Sequence, residues 1–277
     1  MRIVKSQAIK AAVSALCAKA NLFLRPDVLA LLKAGQNKEK NKRAKEILAA
    51  IIKNAAEARQ KKLAICQDTG MPIVFLEIGQ DARIVGNLTA AVNQGVSDGY
   101  RRASLRDSII QDPLARGKPG FVPAVIHTEI VRGNKIKITV LPKGFGCENK
   151  TQLMMFKPTV GIAGIKKFII DAVKSAGPDA CPPYVVGVGI GGTADYACLL
   201  AKKALLRIGA GGRLQAISKI EKDLLEKINR LNIGPMGLGG KTTALAVKIK
   251  TYSTHIAGLP VCLNISCHAL RSASRVI

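Results

Sequence analysis

The spacing of apolar residues switches back and forth along the chain between a helical period and a strand period, and nothing repeats at a fixed interval. Ala8, Ala11, Ala12 and Leu16 recur at helical spacing, Pro26 opens a second helical segment, and Ile47, Leu48, Ile51 and Ile52 give a third its apolar face. After about residue 62 the texture changes, and strand-like runs alternate with helical ones. Such alternation, without a heptad or solenoid period, predicts a single mixed α/β domain with a helical N-terminal region and a β-rich C-terminal half. At 277 residues and 48% hydrophobic, the chain is long enough to bury a core of its own.

Residues 72–78 read as a strand and 87–102 as a helix, while 105–120, with Pro113 and Pro119, reads as a loop. Runs at 125–131 and 135–141 flank Gly133-Asn134, a hairpin signal. Gly144-Phe145-Gly146 predicts a tight turn. Helices are expected over 161–176, 193–207 and 214–231, a buried strand over 184–190, and two closing strands over 243–250 and 259–265.

Lys and Arg number 43 against 18 Asp and Glu, a net charge of +25. That balance admits a nucleic acid, an anionic substrate or an acidic partner subunit. Against nucleic acid stand the 4% aromatic content, the absence of Trp and the diffuse spread of the basic residues, which are densest over 38–45 on an expected exposed helix. The N-terminus lacks a secretory h-region and no apolar run is long enough to span a bilayer, so a soluble cytoplasmic protein is expected. In a reducing compartment seven cysteines read as free, metal-bound or catalytic thiols rather than as a disulfide framework.

Three of those cysteines lie in Gly- or Pro-marked motifs far apart in sequence: Cys66 in Cys-Gln-Asp-Thr-Gly, Cys181 in Cys-Pro-Pro-Tyr and Cys267 in Asn-Ile-Ser-Cys-His. Three thiolates brought together by folding can hold an iron–sulfur cluster and leave one iron open as a Lewis acid. The first motif reads equally as a structural turn, with Asp68 making a local side-chain bond and Gly70 supplying a positive φ. Pro182 is expected to hold Cys181 extended on the approach to the 184–190 strand. Cys267 lies ten residues before the last residue given, which raises the expectation that a second polypeptide completes a site there.

Gly187-Val-Gly-Ile-Gly-Gly192 matches a dinucleotide-binding pattern, but no acidic residue ends a second strand about 20 residues on, where 207–212 reads Arg-Ile-Gly-Ala-Gly-Gly. Close backbone packing is the simpler role for those glycines. Gly240-Lys241-Thr242 has the ending of a P-loop, yet a helix precedes it and a β-rich segment follows, the reverse of the P-loop context. His127 falls in an alternating strand and reads as structural. His255 lies between the last two strands, and His268 directly follows Cys267.

Taken together, Ile-Cys-Gln-Asp-Thr-Gly at 65–70, Cys-Pro-Pro-Tyr and Gly-Ile-Gly-Gly-Thr-Ala-Asp within 181–195, Gly-Leu-Gly-Gly-Lys-Thr-Thr-Ala-Leu at 237–245 and His-Ile-Ala-Gly-Leu-Pro-Val at 255–261 resemble one family. It is the iron–sulfur hydro-lyases, class I fumarate hydratase and L-tartrate dehydratase, specifically the α subunit of their two-subunit forms. The resemblance implies a helical region over 1–62 and a cluster-binding region over 63–277, with a [4Fe-4S] cluster held by Cys66, Cys181 and Cys267. It further implies Gln67, Arg106 and Gly146 as substrate-binding residues, and Asp68 and His255 as catalytic ones, His255 acting across an α–α contact.

The reaction implied is reversible hydration of a C4 dicarboxylate, fumarate to (S)-malate first and L-tartrate dehydration second. A non-catalytic iron–sulfur or structural subunit is the reading from another class. The resemblance also implies a separate β subunit within a heterotetramer, supplying the base and further arginines, and an acidic β subunit would answer the charge of +25. Cys147 departs from the small residue usual at its turn and reads as a small substitute.

Overall fold

The structure is a computed structural model that describes residues 1–207 and 215–277. The 208–212 stretch weighed above lies outside the described residues. The chain runs through β1 (Arg2–Lys5), α1 (Ser6–Leu22), α2 (Pro26–Lys38), α3 (Lys42–Lys61), β2 (Met71–Gly79), β3 (Ala82–Val85) and α4 (Leu88–Arg102). Next come β4 (Val125–Val131), β5 (Ile136–Lys143), the one-turn helix α5 (Phe145–Glu148), β6 (Gln152–Phe156) and α6 (Gly161–Ala176). β7 (Tyr184–Gly192), α7 (Ala194–Leu205), α8 (Gln215–Asn229), β8 (Ala244–Thr254), β9 (Leu259–Ser266) and β10 (Ala273–Val276) follow. The mixed α/β class expected from the sequence is the one the chain adopts, with helices first and strands prominent later.

The backbone divides into two compact units, and neither is contiguous in sequence. The first comprises Met1–Arg25, Asn54–Phe145 and Arg271–Ile277, the second Pro26–Lys53 and Gly146–Leu270.

In the first unit a sheet of order β10-β5-β2-β4 carries α1 and α4 on one face. Alternate β2 residues Val74, Leu76 and Ile78 meet Val13 and Leu16 of α1 and Val92, Val96 and Tyr100 of α4 in one buried cluster, as the two-residue strand period requires. β1 and β3 pair in parallel as a separate two-stranded sheet.

The hairpin expected around Gly133-Asn134 does not form. β2 lies between its two arms, parallel to β4 and antiparallel to β5. The reason is burial: β2 is apolar and covered along nearly its whole length and takes a central place, whereas β4 is half-exposed and takes the edge. The intended turn instead passes over the end of β2, where the Gly79 N–H donates to the Lys135 carbonyl and the Asp81 N–H to that of Gly133. His127 stacks on Phe75, ring centroids 5.2 Å apart, and is structural as expected.

In the second unit the sheet order is β6-β9-β7-β8. Val186 and Val188 of β7 face the cluster that includes Ile169 of α6 and Leu224 of α8. Gly187 and Gly189 point the other way, against α7: a Cβ at either would stand 2.3 or 2.0 Å from the carbonyl oxygen of Ala201 or Ala197. The glycines of the dinucleotide-like pattern therefore serve to bring a helix onto a strand.

The four strands not anticipated, β1, β3, β6 and β10, are only four or five residues long and partly exposed, too short for a period to show. The basic 38–45 stretch is largely exposed, but it spans the junction of α2 and α3 rather than one helix.

At that junction Glu39 is buried, 4% exposed. Its Oε2 accepts the N–H groups of Lys241 (2.9 Å) and Thr242 (3.0 Å) and the Thr242 hydroxyl (3.0 Å), while Oε1 accepts those of Lys40 and Asn41. The amides that a P-loop would offer to phosphate are thus taken by a carboxylate of the same chain. Burial alone would raise the Glu39 pKa, but these donors outweigh it and hold the carboxyl below its ordinary value.

Glu39→Gln puts an amide among donors and is expected to lower the unfolding free energy by about 1–3 kcal/mol at neutral pH. A depressed folded pKa contributes stability above the unfolded value and loses it as pH falls through the folded one. Denaturant titrations of both proteins at neutral and acidic pH should therefore show a gap that closes on acidification. A gap independent of pH contradicts the assignment.

Candidate active site

The loop between α3 and β2 carries the first motif, and within the first unit Asp68 is its anchor. Asp68 Oδ1 accepts the Gly70 N–H (3.0 Å), the local bond foreseen for a turn, and Oδ2 accepts the N–H of Phe145 (2.8 Å). Its carbonyl accepts Nη2 of Arg271 (2.7 Å). Gly70 has φ 78°, and a Cβ there would lie 2.8 Å from the Lys143 nitrogen, so glycine is required.

Thr69 donates its hydroxyl to the Arg106 carbonyl (3.1 Å), and the buried Tyr100 hydroxyl bonds the carbonyls of Thr69 (3.0 Å) and Gly70 (3.2 Å). This unit therefore brings the backbone of Arg106 to the loop of Cys66, Gln67 and Asp68. Cys66 and Asp68 are half-buried, while Gln67 and Arg106 are exposed.

The second unit gathers Cys181, Cys267 and the turn of Gly146. β7 and β9 are antiparallel with Val185 opposite Ser266, so the residues before one strand and after the other come to the same end of the sheet. The His268 N–H donates to the Cys181 carbonyl at 3.5 Å, and His268 Nδ1 lies 3.1 Å from the same oxygen, which makes Nδ1 a protonated donor. The extended backbone expected at Cys181 is not what forms: its φ is 54°, in the left-handed region, with a cis peptide bond between Pro182 and Pro183. A non-glycine residue held there costs about 1–3 kcal/mol, and such strain clusters at functional positions.

Phe145 to Glu148 form the one-turn helix α5 where a tight turn was expected. Cys147 Sγ donates to the Ala180 carbonyl at 3.2 Å, beside Cys181. Glu148 is held by Lys202 Nζ at 2.5 Å and by Asn264 Nδ2 at 2.8 Å, three residues before Cys267. Gly146 itself is exposed, and an added Cβ would meet only the Asp179 carbonyl oxygen, at 3.8 Å.

His255 stands apart. It follows β8, beyond the pair Gly192–Thr254, whereas Cys181 and Cys267 flank the Tyr184 end of the same sheet. The nine residues of β7 separate these ends by about 26 Å at about 3.3 Å per residue. His255 is exposed, and its Nδ1 accepts the Ala257 N–H (3.2 Å), which leaves the proton of the neutral ring on Nε2.

None of the seven cysteines is in a disulfide, and burial sorts them. Cys17, Cys147 and Cys262 are buried, and Cys66, Cys181, Cys198 and Cys267 are half-buried. Burial pushes the Cys17 thiol up to about 12. Burial also raises that of Cys262, followed by its contact with the Cys198 thiol. Thiols so disfavoured as thiolates are poor metal ligands. The donor chemistry of the three motif cysteines suits an iron–sulfur group: partly accessible thiols outside any disulfide, one of them on strained backbone. Among the described residues no three His, Cys, Asp or Glu side chains are grouped closely enough to hold a metal ion; Cys66 belongs to the first unit and Cys181 and Cys267 to the second.

A cavity of about 700 Å³ in the second unit, lined by Leu31, Lys38, Leu225, Arg230, Lys241 and Leu245 among others, takes in part of the 237–245 motif but none of the ligand, substrate-binding or catalytic residues that the resemblance implies. Reading by motif missed Arg271, which belongs to no recognisable pattern, and took Gly144-Phe145-Gly146 for a turn without the bond from the Phe145 N–H to Asp68.

Residues 10–276 match the family described as Fumarate hydratase (Fumerase), which places the chain in the class of hydro-lyases. It is 42% identical over 268 residues to a Methanocaldococcus jannaschii protein named provisionally as L(+)-tartrate dehydratase subunit alpha, covering 94% of each chain. To the L(+)-tartrate dehydratase subunit alpha of Escherichia coli O157:H7 it is 30% identical over 256 residues, 91% of this chain and 84% of the relative. The chain belongs to the fumarate hydratase (Fumerase) family, as its motifs implied, and aligns along nearly its whole length with alpha subunits. Among the described residues no helix is long and apolar enough to cross a membrane.

Alkylation of the folded protein followed by mass spectrometry should modify Cys66, Cys181 and Cys267 well before Cys17, Cys147 and Cys262. Labelling of Cys17 as fast as Cys66 would contradict this ordering.

Proposed function

We propose that the chain is the α subunit of an iron–sulfur hydro-lyase acting on a C4 2-hydroxy dicarboxylate, with L(+)-tartrate as its substrate. What carries the reading is the near full-length similarity to L(+)-tartrate dehydratase alpha subunits. Those names favour tartrate over the conversion of fumarate to (S)-malate that the motifs first put forward. The name of the family itself keeps fumarate as the second reading.

Cys66, Cys181 and Cys267 are proposed as ligands of a [4Fe-4S] cluster, in keeping with their partial exposure and with thiols that no disulfide engages. When bound, that cluster supplies a Lewis-acidic iron for the substrate hydroxyl. Around it Arg106 takes a substrate carboxylate through its planar fork of N–H donors. Gln67 hydrogen-bonds the substrate, and the backbone at Gly146 approaches it closely. Asp68 is the chain's own catalytic carboxylate, already oriented by two backbone N–H groups.

A separate β subunit contributes the base that removes the C3 proton. Loss of water from a vicinal dihydroxy acid leaves an enol, which becomes a 2-oxo acid. Seven cysteines outside any disulfide suit a reducing compartment such as the cytoplasm.

His255 is proposed to act in the site of a second α chain within an α–α contact. Two observations support this: its place at the far end of the sheet from Cys181 and Cys267, and the exposed apolar residues around it, Tyr252 at 59% and Ile256 at 90%.

The test is anaerobic assembly with the β subunit and side-by-side assays for 2-oxo acid from L(+)-tartrate and for fumarate from (S)-malate. Turnover of tartrate with the higher kcat/KM is expected. Higher kcat/KM for malate selects the second reading, and turnover of neither leaves a non-catalytic subunit.

Gly146→Ala should fold with unchanged Tm, since the chain leaves room for a methyl, yet raise KM. An unchanged KM would contradict close approach there. Co-expression of His255→Ala and Cys267→Ser chains should restore activity that neither variant shows alone. A mixture as inactive as its parts would place His255 outside the shared site.

A further inference from the structure

Arg271 lies four residues after Cys267, yet no motif includes it. It is 3% exposed. Nη2 donates to the Asp68 carbonyl, but Nε and Nη1 are buried and have no hydrogen-bond partner among the described residues. A guanidinium remains protonated throughout the range in which proteins fold. Burying it with two nitrogens unpaired disfavours folding, and an apolar side chain of similar volume would avoid that cost. A side chain retained at the expense of stability points to a role outside folding.

Its surroundings name the role. Arg271 holds the same residue, Asp68, whose carboxylate is set by the N–H groups of Gly70 and Phe145. Tyr100 ties the next two carbonyls of that turn. Arg271 is thus the cationic member of the scaffold beneath Gln67 and Asp68, and being buried it acts through them.

We propose that Arg271 is a positioning residue of the hydro-lyase site, fixing the Gln67–Asp68 backbone and placing a buried positive charge beneath the turn for a dianionic dicarboxylate. The inference rests on the hydro-lyase reading above. Its two effects are separable, since the hydrogen bond orients the turn while the charge favours anion binding.

The experiment compares Arg271→Met and Arg271→Lys with wild type, each assembled with the β subunit, by thermal unfolding and by steady-state kinetics on L(+)-tartrate and (S)-malate. R271M is expected to unfold at the wild-type Tm or above, while kcat/KM on the preferred acid falls by about 10- to 100-fold through both kcat and KM. R271K, which restores the charge, should recover KM more than kcat.

A Tm for R271M lower by more than about 4 °C marks a structural arginine and overturns the proposal. So does wild-type kcat/KM in R271M. Should wild type turn over neither acid, the hydro-lyase reading fails by itself; the Tm comparison then still judges Arg271, a loss overturning its role outside folding and a Tm that holds supporting it.

Discussion

One residue, Asp68, organises the motif loop of the first unit. Asp68 accepts a backbone N–H of its own turn and one from Phe145, while its carbonyl takes a guanidinium N–H from Arg271. Three segments distant in sequence are therefore joined at a single residue. Once the turn is so tied, Gly70 is pressed against the backbone of Lys143, where no side chain fits. Thr69 then reaches the Arg106 carbonyl, and Tyr100 closes the turn from the core. Charge-assisted hydrogen bonds of this kind are roughly twice as strong as neutral ones, which suits a turn that must present polar groups without collapsing around them.

The second unit solves a different problem, bringing together cysteines separated by most of a domain. It does so with strand direction. Because β9 runs antiparallel to β7, the residue after one strand meets the residue before the other, and His268 fastens the junction through the Cys181 carbonyl. The same geometry carries His255 to the opposite end. The catalytic role proposed for His255, about 26 Å from Cys181 and Cys267 along β7, therefore calls for a second copy. The exposed Tyr252 and Ile256 beside it are surfaces of the kind that such a copy covers.

Much of this was legible in the residues. Long, strongly periodic elements such as α1, α4, α6 and β7 follow from apolar spacing, and the family follows from four motifs in order. Pairing was less legible. Gly133-Asn134 has the composition of a hairpin, but the greater burial of β2 placed that strand between the two arms, a long-range effect that no local pattern encodes. Cys181 was misread for a related reason: the rule for residues preceding proline is local, and the tertiary contacts around Cys181 override it with a φ of 54°.

Arg271 carries no signature, and the Gly144-Phe145-Gly146 pattern signals only a turn, since the bonds of both to Asp68 exist only once Asp68 is in place. Substrate choice was read towards fumarate from the motifs, which are shared across the family. The names of the relatives favour tartrate, and the one hydroxyl of difference is of a kind that few contacts recognise.

The most direct measurement is the iron and sulfide content, with the electronic spectrum, of anaerobically reconstituted protein across seven single Cys→Ser variants. If Cys66, Cys181 and Cys267 hold the cluster, those three variants alone lose it, and Cys17, Cys147, Cys198 and Cys262 variants keep about four iron atoms per chain. A full cluster in Cys66→Ser, Cys181→Ser or Cys267→Ser, or its loss in Cys198→Ser, would contradict the assignment.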